Sequence, residues 1–181
     1  MRKYTLVILA VLYIMLSSFQ NDKSIKGNDI HTLASRAASG SSTQDKSEDA
    51  KKWLLEAINN YFQDLSSMAA ITTPLYYEYK SDATAVDSDS DGSLTQEEFE
   101  NKWKGKFNTE YAGVDCGFLI SGQDWGNIIK VTECDLLANE KGTYIFHTVI
   151  SDVEYEADYI RDIKVIESKG SFLISDIKEY N

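Results

Sequence analysis

Five carboxylates and one glycine are concentrated in the segment VDSDSDGSLTQEEF. Asp87, Asp89 and Asp91 fall at every second position, Gly92 follows them directly, and Glu98 closes the group. Hard divalent cations need several oxygen ligands, and the alternate side chains of a tightly wound loop can converge on one point. The spacing therefore predicts a metal site built from oxygen donors.

The spacing resembles the calcium loop of the EF-hand family when Asp87 is taken as its first residue and Glu98 as its last. In that pattern Gly92 supplies the sharp turn and Leu94 points into the core. The resemblance implies Ca²⁺ as the cofactor. It implies six ligand residues, which are Asp87, Asp89, Asp91, Ser93, Thr95 and Glu98. Ser93 would use its backbone carbonyl, Thr95 its side chain or a bridging water, and Glu98 both carboxylate oxygens.

The same residues also allow an interpretation without a metal. Thr95 and Glu98 fit a capping box at the start of a helix, and the aspartates could simply be solvated. Against this, four gathered carboxylates repel one another unless a cation neutralises them. Because the chain has a single loop of this kind, whereas sensors usually pair two, we expect the ion to be structural.

The N-terminus predicts export from the cell. Arg2 and Lys3 precede an uncharged apolar run, a pattern typical of a bacterial secretory signal peptide, which we predict over residues 1–19. Residues 20–46 are polar and rich in small side chains, so they are expected to form a flexible linker. The folded domain is then expected over residues 47–181, in the periplasm or outside the cell.

The charge of the chain restricts its partners. The formal net charge is -11, and such an acidic protein repels phosphate backbones and anionic lipid surfaces. We therefore expect no binding to nucleic acid, and none to membranes after signal cleavage. The predicted partners are a calcium ion and an unidentified small-molecule or protein ligand.

The chain has two cysteines, Cys116 and Cys134. In an exported protein they could form a disulfide, and they could equally remain as two thiols. The sequence leaves both states open, because it does not show whether the two side chains face each other.

Hydrophobic periodicity predicts three helices followed by strands. The helices cover EDAKKWLLEAINNYFQDL, a short segment that begins at Pro74, and EEFENKWKGKF. The pattern then changes to alternation with glycine-containing turns. The predicted strands lie near residues 114–120, 127–137, 143–153, 155–167 and 171–180. The fold class is α+β, with helices packed on one face of a curved antiparallel sheet.

This order of elements, which ends in the hairpin DIKVIESKGSFLISDIKEY, resembles the nuclear transport factor two-like superfamily. The resemblance covers about Asp49 to Asn181. It implies a cone formed by a bent sheet and three N-terminal helices, with the EF-hand-like loop between helices two and three. A shared fold of this kind says little about function.

An enzymatic role would rest on His147, which alternates with Ile145 and Val149 in TYIFHTVI. Cone-shaped relatives include isomerases and dehydratases, so a pocket His147 with Asp152 or Asp158 as acidic partner could act as a general base. A histidine satisfied within the sheet explains the same pattern. Because no nucleophile elbow, phosphate loop or zinc spacing occurs, we expect a non-enzymatic binding module, with the pocket enzyme as the alternative.

Aromatic residues make up 12% of the chain. They are expected to fill the interface between helices and sheet, although some could line a mouth that binds an apolar or sugar-like ligand. Trp125 lies in the turn GQDWGN and is expected to be exposed on a hairpin tip.

Overall fold

Helices precede strands along the chain in the computed structural model, which describes residues 46–122 and 124–180. The predicted signal peptide and nearly all of the predicted linker lie outside the described residues. In the described part of the chain, no helix combines the length and the apolar character that a membrane crossing requires.

The three predicted helices correspond to the longer helices of the structure. The helices are α1 (Lys46–Phe62), α2 (Met68–Ile71), α3 (Pro74–Thr84), α4 (Gln96–Trp103) and a short 3-10 helix (Thr109–Tyr111). The start of α3 is the predicted one, because the Thr73 hydroxyl accepts a hydrogen bond from the backbone N–H of Tyr76 and Pro74 occupies the first turn. The sequence did not predict α2, which is too short to produce a periodic pattern.

Four antiparallel strands follow, so the fold class is α+β. They are β1 (Ile129–Glu140), β2 (Thr143–Asp152), β3 (Ala157–Ser168) and β4 (Ser171–Tyr180), paired in chain order. Lys141 and Gly142 form the turn between β1 and β2, and both have positive φ angles. Such turns match the twist of the strands they join. The turn Lys169–Gly170 has the same geometry, so the glycine-containing turns predicted at NEKG and ESKG are confirmed as hairpins.

The predicted strand over residues 114–120 is wrong. This segment pairs with the end of α3, since the Asp115 N–H donates to the Ala83 carbonyl (3.0 Å) and the Thr84 hydroxyl donates to the Cys116 carbonyl (2.8 Å). Positive φ angles at Asp115 and Leu119 interrupt an extended backbone. Trp125 therefore does not lie on a hairpin tip.

The core lies between the helices and one face of the sheet. Phe146 and Ile150 of β2 are fully buried on that face, as are Leu54 and Ile58 of α1. The intervening residues of β2, which include His147, are half-buried on the opposite face. The helices therefore cover one side of the sheet, as the alternating pattern predicted.

Cys116 and Cys134 are not joined by a disulfide in this structure. Cys134 is buried in the core, and burial raises the pKa of its thiol. Cys116 lies in the segment that hydrogen-bonds to α3.

Candidate metal site

The predicted calcium loop, residues 87–98, connects the end of α3 to the first turn of α4. The N–H of Asp87 donates to the carbonyl of Leu94 at 2.9 Å, which brings the two halves of the loop together. Leu94 packs against the core, as the sequence predicted. Gly92 has φ +87°, and no atom lies within 4 Å of the position of a Cβ there. Backbone conformation, not crowding, is therefore the reason for glycine at this turn.

The six predicted ligand residues all lie on this loop or at its end, and they are exposed or half-exposed. Within residues 46–122 and 124–180, however, no three His, Cys, Asp or Glu side chains are grouped so that they could hold a metal ion. Serines make the loop contacts instead. The hydroxyls of Ser88 and Ser90 are 2.6 Å apart, and the Ser93 hydroxyl donates to the Ser88 carbonyl at 2.6 Å.

Glu98 caps α4 in this structure. Its Oε2 accepts hydrogen bonds from the Thr95 N–H (2.9 Å) and the Thr95 hydroxyl (2.8 Å), while the Glu98 N–H donates to Thr95 Oγ1 (3.3 Å). The hydrogen bonds from Thr95 hold the pKa of Glu98 below its ordinary value. The capping box that the sequence allowed is therefore formed, and it uses the same carboxylate that the metal interpretation assigns to calcium.

The chemistry of the donor set fits a hard cation. Carboxylates, hydroxyls and backbone carbonyls provide only oxygen, which suits calcium rather than a soft metal that prefers sulfur or imidazole. The segment DSDSDGSLTQEE contains no basic residue, so its negative charge has no counter-charge within the loop. The chemistry of these donors therefore suits Ca²⁺, although among the described residues their carboxylates are not gathered into a metal-binding group.

Direct contacts between α3 and α4 fix the two ends of the loop. The Tyr79 ring of α3 stacks on Phe99 of α4, with ring centroids 5.5 Å apart. The Asp82 carboxylate accepts hydrogen bonds from Lys102 (2.7 Å) and from the Trp103 indole (2.8 Å). The junction therefore has its own packing, to which a bound ion would add.

His147 has a different acidic partner from the two considered in the sequence. Its Nδ1 lies 2.8 Å from Oδ1 of Asp162, the residue directly opposite it on β3. The Tyr180 hydroxyl donates to the other oxygen of Asp162 at 2.6 Å, and this hydrogen bond raises the pKa of Tyr180 to about 12. His147 and Asp162 lie on the sheet face opposite the core, and the Tyr180 ring also contacts Tyr111 of the 3-10 helix, with centroids 5.4 Å apart.

The predictions of Asp152 and Asp158 as partners of His147 are wrong. Asp152 is five residues from His147, and an odd separation along a strand places two side chains on opposite faces. Asp152 is buried and accepts hydrogen bonds from backbone N–H groups. Asp158 accepts the Ser151 hydroxyl at 2.5 Å.

Sequence reasoning missed a buried ionic cluster formed by Lys80, Arg161 and Glu179. The side chains of all three have no exposed surface. The Lys80 amine lies 2.5 Å from Glu179 and also donates to the carbonyls of Ala112 (3.0 Å) and Gly113 (3.1 Å). Burial lowers the pKa of Lys80 and raises the pKa of Glu179, and the attraction between the two groups opposes both shifts.

One signal for this cluster was present in the sequence. Lys80 is four residues after Tyr76 and three before Ala83, and both of those side chains are buried. Residues at such spacings share one face of a helix, so Lys80 belongs to the buried face of α3.

No known protein family matches the chain, and the comparisons with curated proteins and with solved structures found no match either. The interpretation of the site therefore rests on its residues and their geometry.

Proposed function

We propose that the protein is an exported calcium-binding domain in which one Ca²⁺ stabilises the junction between α3 and α4. The domain then serves as a non-enzymatic binding module. The observation that carries this proposal is the exposed loop with six oxygen donors at EF-hand spacing around Gly92, whose backbone is in the left-handed conformation.

The residues that would hold the ion are those of the EF-hand pattern. Asp87, Asp89 and Asp91 would contribute carboxylate oxygens, and Ser93, Thr95 and Glu98 would complete the set. When bound, the ion supplies positive charge that offsets the repulsion between these carboxylates. Leu94 anchors the loop to the core, so a stabilised loop also stabilises the packing beneath it.

The proposal includes a cone-shaped fold of the nuclear transport factor two-like kind and secretion through residues 1–19. The cone is supported by helices on one face of an antiparallel sheet whose strands pair in chain order. Secretion is supported by the charge and apolar pattern of the N-terminal sequence.

The experiment is a calcium titration of the full chain by calorimetry, combined with thermal unfolding in calcium and in chelator. We expect stoichiometric uptake and a higher melting temperature in calcium, because a ligand that binds only the folded state stabilises it. An unchanged melting temperature together with no heat of binding would refute the proposal.

Asp87→Ala should abolish the difference between calcium and chelator. Asp115→Ala is the matched control, because both residues are exposed aspartates with nearly equal positive φ angles, 54° and 57°. Backbone strain should therefore affect the two variants alike, and only Asp87→Ala should change calcium uptake. Glu98→Ala should also abolish uptake, while lowering stability through loss of the cap.

The alternative function is a small-molecule isomerase or dehydratase that uses His147. The observation in its favour is the orientation of His147 by Asp162, which in turn accepts the Tyr180 hydroxyl. His147 lies on the sheet face opposite the core with its side chain 35% exposed, whereas a pocket enzyme needs its base within an enclosed site. The binding module therefore remains our first proposal.

A further inference from the structure

An open cleft of about 710 Å³ lies where the end of α1, α2 and α3 meet the segment around Trp125. Its lining combines three aromatic rings with one carboxylate and two flexible apolar side chains. These residues are Tyr61, Tyr77, Trp125, Asp64, Leu65 and Met68. We call this the aromatic cleft.

The rings of the aromatic cleft are supported from behind and partly accessible. The centroid of Trp125 lies 6.1 Å from that of Tyr61, and its edge packs on Phe62 with centroids 5.5 Å apart. Trp125 is half-buried by these contacts, and Tyr77 is 42% exposed. Aromatic faces that are fixed and still reachable are suited to contact a ligand.

The charge of the aromatic cleft is negative. Asp64 carries the one carboxylate among the described residues that line the cleft, and none of those residues is basic. Burial, and after it the charge of Asp64, raises the pKa of the Tyr61 hydroxyl. The acidic chain as a whole attracts positive ligands and repels negative ones.

Asp64 is a less favourable residue than glycine for the backbone position it occupies. The hydrogen bonds from Leu65 N–H to Asn60 carbonyl (2.9 Å) and from Asp64 N–H to Tyr61 carbonyl (3.1 Å) end α1 in a Schellman motif, with Asp64 at φ +56°. Glycine is the favoured residue there, and a negative charge near a helix C-terminus opposes the helix dipole. The carboxylate is therefore not explained by the stability of the helix end.

We propose that the aromatic cleft binds an organic cation, with a quaternary or alkylated ammonium group against the faces of Tyr61, Tyr77 and Trp125 and Asp64 as its counter-charge. Aromatic faces attract such cations through the negative charge of their π-systems, and the attraction increases as water is excluded. The cleft shares no residue with the calcium loop, so this proposal is independent of the proposed function.

The test is a titration of the full chain with choline at constant calcium. Binding is measured by tryptophan fluorescence and, separately, by calorimetry. The control ligand is 3,3-dimethyl-1-butanol, which has the same shape with carbon in place of the charged nitrogen. We expect saturable binding of choline and binding of the neutral alcohol at least roughly tenfold weaker. Equal affinity for the two, or no saturable response to choline, would overturn the proposal.

Asp64→Gly separates binding from folding. Glycine suits the left-handed backbone, so the variant should unfold at the same or a higher temperature while its affinity for choline falls roughly tenfold. Trp125→Leu should also weaken binding. Tyr155→Ala, which removes a tyrosine that is 61% exposed outside the cleft, should bind choline like the wild type. Full affinity in Asp64→Gly would contradict the role of the carboxylate.

Discussion

The amine of Lys80 lies 2.5 Å from Oε1 of Glu179, and neither side chain has any exposed surface. Arg161 is the second cation beside the same carboxylate, with its Nη2 3.6 Å from Glu179 Oε2. One buried carboxylate therefore faces two buried cations. Because Lys80 belongs to α3 while Arg161 and Glu179 belong to β3 and β4, the cluster fixes the position of α3 on the sheet.

Glu179→Gln should strongly destabilise the fold. The substitution keeps the shape of the side chain but leaves two buried cations without their counter-charge, for which a loss of about 3–5 kcal/mol in the free energy of unfolding is expected. Urea denaturation at neutral pH measures the loss. The matched control is Glu167→Gln, because Glu167 forms an ion pair with Lys46 at the surface (2.7 Å). An exposed ion pair should contribute little to the free energy of unfolding. Similar losses in the two variants would contradict a special role for the buried cluster.

Gly113→Ala should destabilise the protein more than Gly105→Ala. Both glycines have positive φ angles, +57° and +80°, so alanine is strained at either position, at a cost of about 1–2 kcal/mol. At Gly105 a Cβ has open space, whereas at Gly113 it would overlap the carboxylate of Glu179. The difference between the two free energies of unfolding, from urea denaturation, therefore measures the additional cost of displacing Glu179. Equal losses would show that the carboxylate moves aside freely.

The elements of the fold with strong local signals could be predicted from the sequence. The apolar face of α1, Pro74 at the start of α3 and the glycine turns of two hairpins each act within a few neighbouring residues. The structure of residues 114–120 could not be predicted in this way. Their apolar pattern is typical of a strand, but in the structure they form hydrogen bonds with the end of α3. The burial of Lys80 and Glu179 likewise depends on residues far apart in the chain.

The loop of the candidate metal site could be predicted from the sequence, but not the binding of an ion to it. Residue spacing assigned the turn to Gly92 and the core contact to Leu94, and the structure has both. Among the described residues the predicted carboxylates are not gathered into a metal-binding group. Coordination of calcium stays a prediction. The acidic partner of His147 was not predictable, because it depends on the register between β2 and β3, which places Asp162 opposite His147.

The protein should lose stability in acid partly through Asp152. Burial acts to raise the pKa of Asp152, but hydrogen bonds from the backbone N–H groups of Gly126 (2.7 Å), Tyr155 (3.1 Å) and Glu154 (3.0 Å) outweigh it and hold the pKa below its ordinary value of 3.8. A carboxylate with a lowered pKa stabilises the folded state above the pKa of the unfolded chain. That contribution disappears as the pH falls through the lower pKa of the folded state.

Urea denaturation between pH 7 and about pH 2 measures this effect. Asp152→Asn should be less stable at neutral pH, and its loss of stability below about pH 4 should be smaller than that of the wild type. The control is Asp158→Asn, because Asp158 is exposed and lies just beyond the turn that follows Asp152. This variant should lose stability below about pH 4 as steeply as the wild type does. If Asp152→Asn shows the full loss in acid, other carboxylates are responsible.

His147→Gln should leave stability almost unchanged. The side chain of His147 is 35% exposed and makes one hydrogen bond, to Asp162, so the free energy of unfolding should fall by no more than about 1 kcal/mol. Asp162→Asn should have a larger effect, since Asp162 accepts hydrogen bonds from both His147 and Tyr180. Urea denaturation compares the two variants. Loss of a measured catalytic activity in His147→Gln, with stability intact, would favour the enzyme over the binding module.

Glu98→Gln should distinguish the role of Glu98 as a cap of α4 from its proposed role as a calcium ligand. Glutamine at this position still accepts a hydrogen bond from the Thr95 N–H, so the capping box is kept and stability in chelator should equal that of the wild type. The variant lacks the charge that a bidentate calcium ligand provides, so the increase in melting temperature caused by calcium should be lost. Thr73→Ala is the control, because it removes the cap of α3 outside the loop and should cost about 1 kcal/mol with or without calcium. A calcium response in Glu98→Gln equal to that of the wild type would mean that Glu98 only caps α4.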